Sequence, residues 1–176
     1  MPSDLHQELT QRALVWVRKM ATLRGCRRGF EIPVAQGYVA DAVALCSFQN
    51  RFSCEYLPEK ERQTRFMEPE HICIFEAKQS RADFLKTFGP GPNHANRHEP
   101  IGTLHWCVAP RGLIGPDEVP GFWGLLETAG RGLREIKRPT YCRQEEARLF
   151  EVAYMVLWYG VNRKGAWRLN GREEDA

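Results

Sequence analysis

Hydrophobic residues recur at helical spacing near both ends of the chain. Within residues 5–23 they follow alternating steps of four and three, which places them on one face of an amphipathic helix. Asp4 followed by Gln7 resembles a capping box at the start of this helix. A similar period runs through residues 143–159. The pattern therefore predicts one helix near each end of the chain.

Between these helices, short runs of β-type residues alternate with turn signals. In chain order the runs are FEIPVA, YVADAVAL, HICIFEAK, TLHWCVA, FWGLLE and LREIKRP. The first two flank a Gln36-Gly37 turn and predict a hairpin, while Ser80-x-x-Asp83 predicts a short capped helix after the third. This order predicts an α/β (α+β) fold in which helices flank a central mixed sheet.

The length of 176 residues favours a single domain, which we expect to span residues 1–160. Residues 47–70 are polar and weakly patterned, and they form a predicted insert. Residues 161–176 form a basic tail that we expect to be flexible.

Composition and the N-terminal sequence predict the solubility and location of the protein, the state of its cysteines and the partners that its charge permits. Hydrophobic residues make up 43% of the chain and no apolar run is long enough for a membrane span, so we expect a soluble protein. The N-terminus lacks the order of a secretory signal, which predicts a cytoplasmic location. Six cysteines without a C-x-x-C pair predict reduced core thiols rather than structural zinc. A net charge of +3 permits a polyanionic partner without requiring one.

Three charged residues interrupt the apolar strands. Asp41 lies within YVADAVAL, and Glu76 and Lys78 follow the apolar run ICIF two positions apart, which directs both to one side of the sheet. Neighbouring carboxylates repel unless a cation lies between them, and Mg²⁺ binds one or two carboxylates together with water and phosphate oxygens. A metal site is one interpretation, and a solvated ion pair at a strand end is the other. E-x-K alone is a weak signal, but its apolar context favours the metal site.

The same segments resemble the PD-(D/E)xK nuclease superfamily, and within it the MmcB-like DNA repair proteins. The motifs E-I-P-V, A-D, E-A-K-Q-S and A-D-F follow one another in the order found in those proteins. The resemblance implies a restriction-endonuclease-like αβββαβ core with extra C-terminal strands and a helix. It also implies a metal-dependent nuclease that hydrolyses phosphodiester bonds in DNA, in repair, recombination or the processing of mobile-element or phage DNA. Mg²⁺ is the implied cofactor and Mn²⁺ its expected substitute.

Carried over residue by residue, the resemblance makes Asp41 and Glu76 the metal-binding acids and Lys78 the catalytic lysine. A further metal-binding acid is expected at Glu31, which matches the E-x-P strand. Glu8 in the first helix is the other candidate, although a charged helix surface explains it equally well. The sequence departs from the motif at Ala40, where the superfamily has proline, and in the long insert that follows.

Residues after the lysine are candidates for substrate contact, because amide and basic side chains bind phosphates or bases. They are Gln79, Lys86, His94, Arg97 and His98. The spacing of His94 and His98 also suits two zinc ligands on one helical face, but the flanking GPGP and Pro100 argue against a helix there.

Three functions stay open on the sequence alone. The first is a magnesium-dependent deoxyribonuclease, with endonucleolytic and exonucleolytic cleavage both open. The second is a catalytically inactive nucleic-acid-binding or accessory module that retains the fold, and the third is a structural domain, because a fold does not by itself determine a function. The expected partner is nucleic acid, DNA rather than RNA, with no membrane partner. A homodimer is left open because many nucleases dimerise to cut both strands.

Overall fold

Six strands form one mixed sheet in the described part of the computed structural model, which covers residues 3–20, 26–35, 38–46, 71–89, 100–144 and 151–152. The elements are α1 (Asp4–Met20), β1 (Cys26–Ala35), β2 (Tyr38–Cys46), β3 (His71–Ala77), α2 (Arg81–Phe88), β4 (Leu104–Ala109), a 3₁₀ turn (Pro116–Glu118), β5 (Trp123–Ala129) and β6 (Gly132–Lys137). The fold is therefore a mixed α+β arrangement, and the predicted strands and the two predicted helices before β4 are confirmed.

The strands lie in the sheet in chain order, from β1 to β6. The pairs β1–β2, β2–β3 and β5–β6 are antiparallel, whereas β3, β4 and β5 run parallel. Parallel neighbours need a crossover connection, and α2 lies in the one between β3 and β4. The carboxyl ends of β3, β4 and β5 therefore meet at one edge of the sheet.

The two faces of the sheet bury separate hydrophobic clusters. One face packs against α1 through Leu9, Leu14 and Val17, which contact a cluster that includes Phe75 and Trp106. The other face packs against α2 through a second cluster, whose members include Ile72, Ile74, Phe84, Phe88, Cys107 and Leu125. Since both sides of the central strands are covered, β4 is buried at every position. Cys73 and Cys107 are buried free thiols, as predicted for core cysteines.

The start of α1 differs from the predicted capping box. Ser3, not Asp4, caps the helix: its Oγ accepts from the backbone N–H of His6 at 3.2 Å, and its carbonyl accepts from that of Gln7 at 3.0 Å. A serine hydroxyl one residue earlier satisfies the first donors, so the Asp4–Gln7 assignment is wrong by one position. By contrast, Ser80 caps α2 as predicted, since its Oγ accepts from the N–H of Asp83.

Several predictions lie outside the described residues. They are the insert at 47–70, the loop with His94, Arg97 and His98, and the tail at 161–176. Of the predicted helix at 143–159, four residues are described: Glu151 and Val152 are helical, whereas Arg143 and Gln144 are not, so the helix does not begin at residue 143 as predicted. Within the described ranges, no helix is both long and apolar enough to cross a membrane.

Candidate functional site

The end of β3 carries two oppositely charged side chains into the interior. Ile72 and Ile74 lie on the α2 side of the sheet, and Glu76 follows them by alternation on the same face. The chain continues past the strand in a similar direction, because the backbone N–H of Lys78 donates to the carbonyl of Val108 on β4 at 2.8 Å. Glu76 and Lys78 are each only 5% exposed. The alternative interpretation, a solvated ion pair at a strand end, is therefore wrong, because both side chains are buried.

Glu76 and Lys78 form a buried ion pair. Lys78 Nζ donates to Glu76 Oε2 at 3.0 Å and lies 5.9 Å from the centroid of the Phe88 ring. Removing two charges from water is costly unless they are paired and hydrogen-bonded. The pair offsets that cost for both groups and holds the ammonium group at a defined position near the carboxyl edge of the sheet.

Burial and charge act on Lys78 in opposite directions. Desolvation by burial alone would lower the pKa of Lys78, but the negative charges of Glu76, Asp41 and Asp83 more than offset it, and the net effect raises the pKa above 10.5. Lys78 is therefore an ammonium ion at neutral pH. It can stabilise negative charge or donate a proton, but it cannot accept one.

Asp41 lies where β2 and β3 separate. The described pairing of these strands ends at Ala42 opposite Phe75, so the next positions in register are Asp41 and Glu76. Asp41 Oδ2 accepts from the backbone N–H of Ala77 at 2.8 Å. The side chain thus satisfies a strand donor at the point where the backbone ladder stops.

The predicted alternation along β2 is lost at the same point. Ala42 and Ala44 pack in the cluster beside α1, as alternation requires, but Ala40 packs in the cluster on the α2 side. Ala40 therefore does not share a face with Ala42, in contrast to the regular alternation of a strand. Beyond Ala42 the pairing with β3 ends while the pairing with β1 continues, and the Asp41 side chain reaches both the end of β3 and the first turn of α1.

His6 is a member of the site that the sequence did not reveal. Its Nε2 lies 3.3 Å from Asp41 Oδ1, and both side chains are 20% exposed. In the same turn of α1, Ser3 Oγ donates to Gln79 Oε1. His6 falls on the polar part of an amphipathic helix, where a histidine carries no periodic signal. Only its contact with Asp41 in the structure identifies it as part of the candidate site.

The segment after Lys78 is held by the cap of α2. The backbone N–H of Gln79 donates to Asp83 Oδ2 at 3.2 Å, while the N–H of Asp83 donates to Ser80 Oγ at 3.2 Å. This reciprocal pair satisfies two donors at the helix start. It also fixes the carboxylate of Asp83 close enough to Lys78 to raise the pKa of the lysine.

The other predicted residues are dispersed. Glu31 lies in β1 opposite position 41 by register, and its side chain is outside the described part of the chain. Glu8 pairs with Arg12 on the surface at 2.5 Å, away from the carboxylates of the site. Lys86 is exposed on α2, and Gln79 is exposed beside α1. His94, Arg97 and His98 are among the residues without a description.

Two carboxylates can offer oxygen ligands to a cation at this position. Asp41 and Glu76 are adjacent in register, and their charges, with that of Asp83, raise the pKa of Lys78. No group of three or more His, Cys, Asp or Glu side chains arranged to hold a metal occurs among the described residues. Hard oxygen donors in this small number fit Mg²⁺, which keeps several waters, better than a zinc site with three or four protein ligands.

Comparison with known proteins bears on the fold alone. No protein-family model matches the chain, and no curated protein does. Among solved structures, a protein of unknown function from Silicibacter pomeroyi is similar, with a TM-score of 0.58 at 14% sequence identity. The match covers 93% of this chain and 90% of that one. The likeness therefore extends over nearly the whole fold.

Proposed function

We propose that this protein is a metal-dependent nuclease of the PD-(D/E)xK superfamily that hydrolyses phosphodiester bonds in DNA. The observation that carries the proposal is the placement of Asp41, Glu76 and the ammonium group of Lys78 near one another where the pairing of β2 with β3 ends. The order of elements from α1 to β4 supports a restriction-endonuclease-like αβββαβ core, with β5 and β6 as additions.

In the proposed mechanism, Asp41 and Glu76 hold Mg²⁺. When bound, the ion polarises the phosphodiester and lowers the pKa of a bound water. Asp41 is already oriented for metal binding, because the backbone N–H of Ala77 donates to its Oδ2. Lys78 stabilises the negative charge that develops on the phosphoryl oxygens, since it remains an ammonium ion at neutral pH.

DNA is the proposed substrate on the strength of the motif resemblance and a net charge of +3, which suits a polyanion. Gln79 lies exposed next to the ion pair, and its side chain is in reach of a phosphate or a base at the same edge. Mn²⁺ is expected to substitute for Mg²⁺, and a homodimer would allow cleavage of both strands.

Cleavage of single-stranded, duplex and branched DNAs with Mn²⁺ tests the proposal. We expect the wild type to cut at least one of these substrates and EDTA to stop it. Asp41→Asn and Lys78→Met should each reduce the rate at least about 1,000-fold, because each removes a charge that acts on the transition state. Equal cleavage by the wild type and Lys78→Met would point to a contaminating nuclease and contradict the proposal.

A catalytically inactive nucleic-acid-binding or accessory module is the second candidate, and one observation favours it. Lys78 is 5% exposed and donates to Glu76. A metal ion would therefore have to share the Glu76 carboxylate with this ammonium group, and a phosphate would have to reach an ammonium group that is buried. This candidate predicts DNA binding in a mobility-shift assay without cleavage under any of the metal conditions above.

A further inference from the structure

The first turn of α1 contacts the candidate site at two points. His6 Nε2 lies 3.3 Å from Asp41 Oδ1, on β2 next to the last residue paired with β3. Ser3 Oγ donates to Gln79 Oε1, just beyond the end of β3. The same serine hydroxyl caps the helix by accepting from the backbone N–H of His6. Ser3 therefore fixes the position of His6, because its hydroxyl caps α1 and also contacts Gln79 just beyond the end of β3.

The carboxylate of Asp41 is held from two directions. Its Oδ2 accepts from the N–H of Ala77, which belongs to the sheet, and its Oδ1 faces His6, which belongs to a helix. With Oδ2 alone anchored, the carboxylate can still rock about that bond. A partner at Oδ1 restricts this motion and determines the direction in which the remaining lone pairs point.

We propose that His6 is a positioning residue for Asp41, and that it holds this carboxylate in the orientation that binds the metal. This inference rests on the proposed metal site. His6 acts through Asp41 and is not itself a ligand, in keeping with the lack of a three-donor group among the described residues. Partners that orient a ligating carboxylate typically contribute about 10- to 100-fold in metal affinity.

A purely structural role for His6 makes a different prediction. If the contact only attached α1 to the sheet, its loss would lower the melting temperature and leave metal affinity unchanged. The contact is 20% exposed and lies in the first helical turn, whereas Leu9, Leu14 and Val17 bury the apolar face of the helix. Since those buried residues hold α1 in place, His6→Ala should fold.

Isothermal titration calorimetry with Mn²⁺ alone, paired with thermal melts, separates the two roles. We expect His6→Ala to bind Mn²⁺ about tenfold more weakly than the wild type. His6→Gln, whose Nε2 can reach Asp41 as a neutral donor, should restore the affinity to within about threefold of the wild type. Glu8→Ala is the matched control, because Glu8 lies on the same helix and pairs with Arg12 instead of reaching Asp41.

Each outcome has a distinct meaning. Wild-type affinity in a folded His6→Ala protein would overturn the positioning role and leave the metal site intact. If His6→Ala does not fold, His6→Leu decides, since it keeps side-chain bulk but has no polar atom to meet Asp41: a loss of about tenfold in a folded protein supports the proposal, and wild-type affinity overturns it. Absence of Mn²⁺ binding by the wild type would overturn the metal site itself, and with it the role of His6.

Discussion

Two buried glutamates on the same face of the sheet differ in their surroundings. Glu76 ends β3 at 5% exposure, and Glu127 lies near the end of the parallel strand β5 at 6% exposure. Glu127 Oε1 accepts from the backbone N–H of Gly112 at 2.9 Å, and its nearest described cation, the exposed Arg134, lies 3.9 Å away. Glu76 instead pairs with a buried lysine that also lies in the fields of Asp41 and Asp83.

Burial of an acid is therefore a weak sign of function by itself. Glu127 is accounted for by the turn that it holds, since Gly112 adopts a positive φ of 70° and presents its N–H to the carboxylate. Glu76 instead pairs with the buried Lys78, whose pKa is also raised by the charges of Asp41 and Asp83. What distinguishes a candidate site is the density of charge around the buried group.

The largest difference is expected in catalysis. Glu76→Gln should reduce Mn²⁺-dependent DNA cleavage at least about 1,000-fold, because it removes a proposed ligand charge. Glu127→Gln should leave the rate within about twofold of the wild type, because the amide oxygen can still accept from Gly112. Initial rates of the two variants, measured side by side, test this contrast. Similar losses in both would mean that Glu76 owes its effect to packing.

The next largest difference between the two sites is expected in the free energy of unfolding. Lys78→Met leaves the buried Glu76 without its lysine and should reduce the free energy of unfolding by about 3–5 kcal/mol. Arg134→Ala removes a cation that is 58% exposed, so it should cost less than about 1 kcal/mol. Urea unfolding measures both. The double variant Glu76→Leu/Lys78→Met is the control, and it should recover most of the loss because no buried charge remains.

The buried base His105 should make the free energy of unfolding depend on pH in the acidic range. His105 accepts from the N–H groups of Ile101 and Gly102, and desolvation lowers the pKa of its ring from 6.5 to about 3. Its contribution to stability is present above pH 6.5 and is lost as the pH falls toward 3. Between pH 6.5 and 5 the wild type should lose about 2 kcal/mol more than His105→Gln in urea unfolding. Parallel pH profiles of the two proteins would contradict this assignment.

The smallest effect is expected at alkaline pH. The folded-state pKa of Lys78 is raised, so its contribution to stability is fully present below the unfolded value of 10.5 and is lost as the pH rises through the folded value. The difference in unfolding free energy between the wild type and Lys78→Met should therefore be constant from neutral pH to about pH 9.5 and shrink above it. Urea titrations across this range check the sign. A difference that shrinks already near pH 8 would show that the pKa is lowered.

Local pattern predicted most of the fold. The alternation in YVADAVAL and the apolar run before Glu76 identified β2 and β3, because strands leave a two-residue period or a continuous apolar stretch. The weaker runs FWGLLE and LREIKRP also form the hairpin of β5 and β6. Capping was harder to place, since Ser3 and Asp4 are both good caps and differ by one position.

The sequence by itself determined most elements, their order, the presence of Asp41 within an apolar strand and that of Glu76 and Lys78 at the end of the next one, because these follow from periodicities shorter than one element. Only the tertiary structure decided that Glu76 and Lys78 are buried together, that Asp41 holds the N–H of Ala77, and that His6 joins them. These contacts depend on where the pairing between β2 and β3 ends and on how α1 packs across the sheet. Residues 6, 41 and 76 are distant in the chain, and no local pattern records that packing brings them together.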